Sequence, residues 1–326
     1  MNFAIIGTNF VTDWLLEAGK LCPEFSLKAV YSRTMERARE YAGKYGAKHT
    51  FDSLECLCKC NEVDAVYIAS PTAYHSAQAI QLMTAGKHVL CEKPIASNSA
   101  ELKAMLQCAK ENSVVLLEAM RPAFSPVLDS VENMLQTLGK IRHVTISFSK
   151  YSSRYDRFLS GEPVNAFNPE LSNGALMDLG CYCIYILLRL FGKPQTIQSS
   201  AVKLSNGIDG AGAFLAGYEG MTAMLSYSKV CDTYNFCEIQ GELGNLQFRD
   251  PASLKEVYLT KRGQEPERII TPMAEPDMLY ELQEFINYVK NPEGLDIHHR
   301  YSVDAMGIMD KVRQQCGIIF PADGQA

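Results

Sequence analysis

The 326-residue sequence has no basic stretch: its 31 Lys and Arg are outnumbered by 37 Asp and Glu, for a formal net charge of −6, and they are scattered along the chain. That leaves no electrostatic footprint for nucleic acid or for an anionic membrane surface, and neither is expected as a partner. Long apolar runs are missing too. The most apolar segment, 181–191, is interrupted by Arg189 and is far shorter than the roughly 20 residues that cross a bilayer, so it reads as a buried helix. There is no basic leader with an extended apolar core, and the opening Phe3-Ala4-Ile5-Ile6 reads as a strand; the expected location is cytoplasmic. No segment is biased towards disorder, because 47% hydrophobic and 21% charged residues match ordinary folded usage.

The eleven cysteines, an odd number in a long chain, are expected as reduced thiols rather than a disulfide framework. Cys56, Cys58 and Cys60 alternate on an expected helix, which spreads their thiols around it. Neither a second Cys pair nor a nearby His pair completes the four ligands of a structural zinc site, so no metal is expected.

What is present is alternation. Up to about Glu118, short apolar runs at 3–6, 27–31, 65–69, 88–91 and 114–117 alternate with helix-like stretches near 11–20, 34–45, 53–60, 76–85 and 99–111. Several of these helices open on Ser, Thr or Asp, which cap orphan N–H groups. The pattern predicts an α/β fold whose N-terminal domain, residues 1–121, is doubly wound around a parallel sheet. From Ile141 the period changes. Strand-like runs at 141–149 and 221–229, with helical segments near 174–191, 279–289 and 301–315, predict an α+β domain over 122–326 with a mostly antiparallel or mixed open sheet. Arg121 to Pro126, with two prolines, is the expected crossing in extended or turning form, with the last helices as candidates to pack back on the first domain. An uncovered face of the second sheet would call for a partner, so a homodimer or homotetramer through that sheet is expected.

The turn Gly7-Thr8-Asn9-Phe10-Val11-Thr12 follows the first strand, where a dinucleotide-binding domain carries its glycine-rich turn. Gly7 supplies the tight bend; Asn9 and Thr12 replace the later glycines, and Asn tolerates a left-handed backbone better than most residues. The second strand ends on Tyr31 and runs into Ser32-Arg33-Thr34, with Arg37 one helical turn on. A carboxylate there would select NAD by binding the ribose, and none is present. A hydroxyl and two guanidinium groups suit the 2′-phosphate of NADP, so NADP is the expected cofactor and NAD the alternative.

Two further loops fall at the carboxyl ends of parallel strands, the edge where such sheets hold ligands. They are Ser70-Pro71-Thr72-Ala73-Tyr74-His75 and Glu92-Lys93-Pro94. Pro94 fixes the chain direction after Lys93 and helps aim its side chain. His75, opening a helix, serves either the cofactor edge or the packing of its own turn.

With these motifs the chain resembles the Gfo/Idh/MocA oxidoreductases over essentially its full length. The resemblance rests on the opening turn, Ser70-Pro71-Thr72 to His75, Glu92-Lys93-Pro94, and the later Gly174-Ala175-Leu176-Met177-Asp178-Leu179-Gly180-Cys181-Tyr182. It implies a Rossmann domain in which Lys93 lies beside the nicotinamide and Asp178 is the acidic residue of the second-domain motif. Many members carry His where this chain has Tyr182. The branch of glucose–fructose oxidoreductase and dimeric dihydrodiol dehydrogenase carries Tyr, and the Arg33 and Arg37 pair resembles the second of these, which uses NADP. The chain departs from that branch at Glu118 to Pro122, where Arg121 sits early.

Independently of the family, Asp178 and Tyr182 are four apart on an expected helix and so would share a face. Oxidising a secondary alcohol takes a hydride from carbon and a proton from oxygen, which requires a group that holds the hydroxyl and relays its proton. The Tyr182 phenol, ordinarily near pKa 10, would be activated if Lys93 converged with it over a nicotinamide, or Lys93 would act directly if desolvated. Asp178 would orient a sugar, polyol or diol substrate, or balance the lysine charge. The rival reading is a catalytically silent dinucleotide-binding sensor or regulatory protein, against which Lys93 and Tyr182 argue.

Overall fold

The computed structural model describes residues 1–324, which divide into two compact units: 1–120 with 274–303, and 121–273 with 304 onwards. In the first unit the chain runs β1 (Asn2–Ile6), α1 (Phe10–Lys20), β2 (Ser26–Tyr31), α2 (Met35–Tyr45), β3 (His49–Phe51), α3 (Leu54–Cys58), β4 (Ala65–Ile68), α4 (His75–Thr84), β5 (His88–Glu92), α5 (Ser99–Glu111) and β6 (Leu116–Ala119). All neighbouring strands are parallel, in the order β3-β2-β1-β4-β5-β6. This is the doubly wound order of dinucleotide-binding domains, with the chain reversing direction across the sheet between β1 and β4. The central strand β4 is apolar throughout, and every residue of it is buried, as expected where helices cover both faces. Side chains cap the helices, Asn9 on α1, Thr34 on α2, Ser53 on α3 and Asn98 on α5.

Several expected boundaries shift. The sixth strand lies two residues later than its apolar run suggested, at Leu116–Ala119, since a strand buried on both faces has no alternation to mark its ends. The third helix stops at Cys58, so Cys60 lies beyond it. Of the extended or turning forms expected after β6, the chain takes the turning one. Arg121–Phe124 forms a 3₁₀ turn, and Pro126 occupies the first turn of the next helix, where its missing N–H costs nothing.

The second unit contains α6 (Pro126–Met134), β7 (Ile141–Ser149), α7 (Tyr155–Leu159), α8 (Cys181–Phe191), β8 (Thr196–Lys203), β9 (Asp209–Tyr218), β10 (Met221–Ser228), β11 (Phe236–Gly241), β12 (Gly244–Arg249), β13 (Lys255–Lys261) and β14 (Glu267–Ile269). Its eight strands form one mixed sheet, β14-β13-β12-β11-β7-β10-β9-β8, in which only β7 and β10 are parallel. The apolar α8 packs against β7 and β10. Together with the turns before it, Pro169–Phe191 is 23 residues long and apolar enough to span a membrane, but 72% of its most apolar window is buried inside the protein. Of the last two helices, α9 (Met278–Lys290) packs on α1 in the first unit, and α10 (Leu295–Cys316) begins in the first unit and ends in the second.

Candidate active site

In the first unit the turn after β1 is shaped by Gly7, whose φ is +102°. A Cβ there would sit 2.4 Å from the Ala69 carbonyl oxygen, so only glycine lets the β1 turn approach the end of β4 this closely. Asn9 then does two jobs. Its Oδ1 accepts from the N–H groups of Val11 and Thr12, at 2.9 and 3.3 Å, while its Nδ2 donates to the Ala69 carbonyl at 2.8 Å. Its backbone is extended rather than left-handed, so its value lies in the side chain and not in the conformational tolerance expected of it. Thr12, in the place of a third glycine, is buried and donates to the Gly7 carbonyl at 2.9 Å. Phe10 is exposed and meets Trp14 edge-on at 5.0 Å, while Val11 is half-buried.

At the next strand end Ser32 is half-buried and Arg33 exposed. Arg37 reaches back from α2 to the first turn: its Nε donates to Thr8 Oγ1 at 3.0 Å, its Nη2 to the Thr8 carbonyl at 3.1 Å, and its Nη1 to Glu40 at 2.7 Å. The guanidinium is thus held at the edge of the sheet while 43% of its side chain stays exposed.

The loops after β4 and β5 are tied together from beneath. His75 is 1% exposed, with Nδ1 3.1 Å from the Pro94 carbonyl and Nε2 2.8 Å from the Ser70 carbonyl. Burial lowers its pKa while the two carbonyl acceptors raise it, and the ring lies between the two loops, its N–H donating to the carbonyl it faces. Ser70 donates to Gln78 at 2.6 Å, Pro71 is half-buried and Thr72 buried. Glu92 accepts from Tyr67 Oη at 2.6 Å and from the Lys93 N–H at 3.2 Å, and the Lys93–Pro94 peptide is cis. One residue further, the Ile95 N–H donates to Glu118 Oε1 at 3.1 Å, and Ser302 donates to its Oε2 at 2.6 Å. Burial raises the pKa of Glu118, which these two donors partly offset. The half-exposed Lys93 is therefore carried on a turn clamped by His75 and Glu118.

In the second unit, Asp178 and Tyr182 do not share one regular helix. Leu176–Gly180 is a π turn, and α8 begins at Cys181, so the wide turn carries Asp178 and the first α turn carries Tyr182. Such turns are rare and frequent at functional sites. The turn is anchored at its start by Asp209, whose Oδ2 accepts from the Leu176 N–H at 2.6 Å. Asp209 Oδ1 would lie 2.1 Å from a Cβ on Gly174, which accounts for that glycine. Burial pushes the Asp209 carboxyl up to about 6. Asp178 Oδ2 accepts from Lys229 Nζ at 3.2 Å, and Tyr182 packs edge-on to Phe148 at 5.6 Å.

Glu118, Asp209 and Lys229 were missed as site residues. Each stands at a strand end, Glu118 within a motif already singled out, but nothing in its immediate sequence says that it will be buried beside a functional loop.

Comparison with known proteins gives the family. Residues 1–120 match the model of the oxidoreductase family with an NAD-binding Rossmann fold, and residues 134–247 match the GFO/IDH/MocA C-terminal domain. The chain is 44% identical to scyllo-inositol 2-dehydrogenase (NADP(+)) of Bacillus subtilis, over 99% of each chain. It is 28% identical to trans-1,2-dihydrobenzene-1,2-diol dehydrogenase of Danio rerio, over 95% of this chain and 98% of that one. A 3-ketoreductase from Actinomadura kijaniata, solved with NADP and TDP-benzene, shares the fold with a TM-score of 0.86 at 22% identity, covering 97% of this chain and 98% of that one. The chain belongs to the Gfo/Idh/MocA oxidoreductase family.

Proposed function

We propose that the protein is an NADP(H)-dependent dehydrogenase or reductase that moves a hydride between nicotinamide and a secondary hydroxyl or carbonyl of a polyol, sugar or cyclic diol. The observation that carries this reading is Arg37, pinned to both Thr8 Oγ1 and the Thr8 carbonyl beside a strand end that holds Ser32 and Arg33 and no carboxylate. The 44% identity to an NADP-linked inositol dehydrogenase over nearly the whole chain supports it.

The residues fit a dinucleotide, because the close approach at Gly7 and the helix start at Asn9, Phe10 and Val11 form the anion-binding end expected for a pyrophosphate. Thr8, Ser32, Arg33 and Arg37 would hold the ribose and its 2′-phosphate. Ser70, Pro71, Thr72, Glu92 and Lys93 would line the nicotinamide end, with His75 acting beneath them as a positioning residue. When bound, the nicotinamide supplies the hydride donor or acceptor. In the first unit Lys93 would stand beside the nicotinamide; in the second, Tyr182 would serve the proton of the reacting hydroxyl and Asp178 would orient the substrate.

The same proposal places the enzyme in the cytoplasm as a homodimer or homotetramer associating through the second sheet. The exposed Leu215 and Met224 are paired neighbours in its β9 and β10 strands, next to Thr145 of β7. A monomeric mass at micromolar concentration in analytical ultracentrifugation would remove this part. The activity itself is tested by following NADP-linked absorbance with scyllo-inositol, other polyols, aldoses and cyclic diols. A turnover specific to one class is expected; none with any class overturns the reading.

A further inference from the structure

Lys229, the residue after β10, is among the largest fully buried side chains of the protein, at 2% exposed. Its ammonium donates to the Ala166 carbonyl at 2.7 Å and to Asp178 Oδ2 at 3.2 Å, and it lies 4.8 Å from the centre of the Phe167 ring. Its ionic partner is placed differently: the Asp178 side chain is 46% exposed. An enclosed ammonium therefore holds the carboxylate of a half-exposed side chain. Taking an ammonium out of water is costly, and a buried ion pair is weak evidence of stability, since apolar residues of similar size often serve a fold as well. What an apolar residue would not reproduce is a hydrogen bond and a positive charge at Asp178 Oδ2.

We propose that Lys229 is a positioning residue that fixes Asp178 as an ionised hydrogen-bond acceptor for a substrate hydroxyl, rather than a group that exchanges the substrate's proton. This rests on the polyol, sugar or diol reading above. A carboxylate beside a cation is a poorer base but keeps its acceptor oxygens, which suits recognition of a ligand rich in hydroxyls. The support around it is built for one orientation. Asp209 at the head of β9 anchors the start of the π turn, Lys229 at the end of β10 holds its middle, and the Lys229 N–H is itself bonded to the Gly210 carbonyl at 2.9 Å. Asp209, which feels both Lys229 and Arg313, is a further charge near Lys229.

The test uses the full-length enzyme with NADP⁺ and scyllo-inositol, comparing wild type with Lys229→Met, Lys229→Gln and Asp178→Asn. Loss of a charge-assisted substrate contact should raise KM for the polyol by about 10- to 100-fold in both Lys229 variants, with NADP⁺ affinity changed less than about twofold and a larger effect on KM than on kcat. An unchanged KM overturns the proposal, and so does a parallel loss of polyol and NADP⁺ affinity. A second readout does not need activity: the Asp178 carboxyl carbon, assigned with Asp178→Asn, is titrated by ¹³C NMR. It should titrate at higher pH in Lys229→Gln than in wild type, and an identical titration overturns the proposal. If the wild type turns over no polyol, the functional reading falls while the NMR comparison still decides whether Lys229 sets the charge state of Asp178.

Discussion

Arg37 and Thr8, 29 residues apart, are joined by two hydrogen bonds, from Nε to the hydroxyl and from Nη2 to the carbonyl, at 3.0 and 3.1 Å. A guanidinium at the second strand end is thereby fixed against the turn that follows the first. On the function proposed above, this held positive charge would favour NADP over NAD.

Arg37→Ala should therefore weaken NADP⁺ binding by about 10- to 100-fold, the worth of one or two charge-assisted hydrogen bonds to phosphate. NAD⁺, which lacks the 2′-phosphate, should be affected by less than about threefold. Isothermal titration of both cofactors checks this. Wild-type affinity for NAD⁺ equal to or above that for NADP⁺ would dispose of the phosphate role.

His75→Ala removes the brace between the Ser70 and Pro94 carbonyls and leaves a cavity at a fully buried position. The expected loss is about 2–4 kcal/mol in urea unfolding, with kcat reduced because the turn carrying Lys93 is no longer held. Unchanged stability together with unchanged kcat would show that the two loops do not depend on the imidazole.

Asp209 makes stability depend on pH in a defined sense. Its folded pKa of about 6 lies above its ordinary value of 3.8, so its contribution is fully present below 3.8 and lost as pH rises through about 6. Asn at this position has no charge to bury at any pH and can still accept from the Leu176 N–H. Relative to wild type, Asp209→Asn should gain up to about 3 kcal/mol between pH 4 and pH 8. Urea melts at both pH values measure the difference, and a flat difference contradicts burial as the cause.

Lys93→Ala and Tyr182→Phe should each lower turnover by at least about 100-fold, the usual worth of a positioned proton-transfer group, while leaving NADP⁺ affinity within severalfold of wild type. Turnover at wild-type level with intact cofactor binding in either variant would take that residue out of the chemistry.

Much of the fold was legible because it rests on local signals. Alternation of apolar runs with capped helices marked five of the six strands of the first sheet. The missing one, His49–Phe51, is too short to show a period. The second sheet was harder: Asp209–Tyr218 is rich in Gly and Ala, and only pairing with β8 and β10 makes it a strand. The π turn at Leu176–Gly180 was invisible to any argument from a period of 3.6 residues, since the widened turn is stabilised from outside by Asp209 and Lys229.

The amino-acid order alone determined the fold class, the glycine turn at Gly7 and the absence of a carboxylate after β2, and it pointed to Lys93, Asp178 and Tyr182 as candidates, because each is a matter of residue type at a given place in a motif. Tertiary structure decided what lies beneath those residues. That His75 faces inward, that Glu118 clamps the turn after Lys93, and that Lys229 is enclosed while holding an exposed Asp178 all depend on burial and on partners 19 to 184 residues away. A side chain's solvation and its hydrogen-bond partners are properties of the packed molecule, and nothing in its immediate sequence records them.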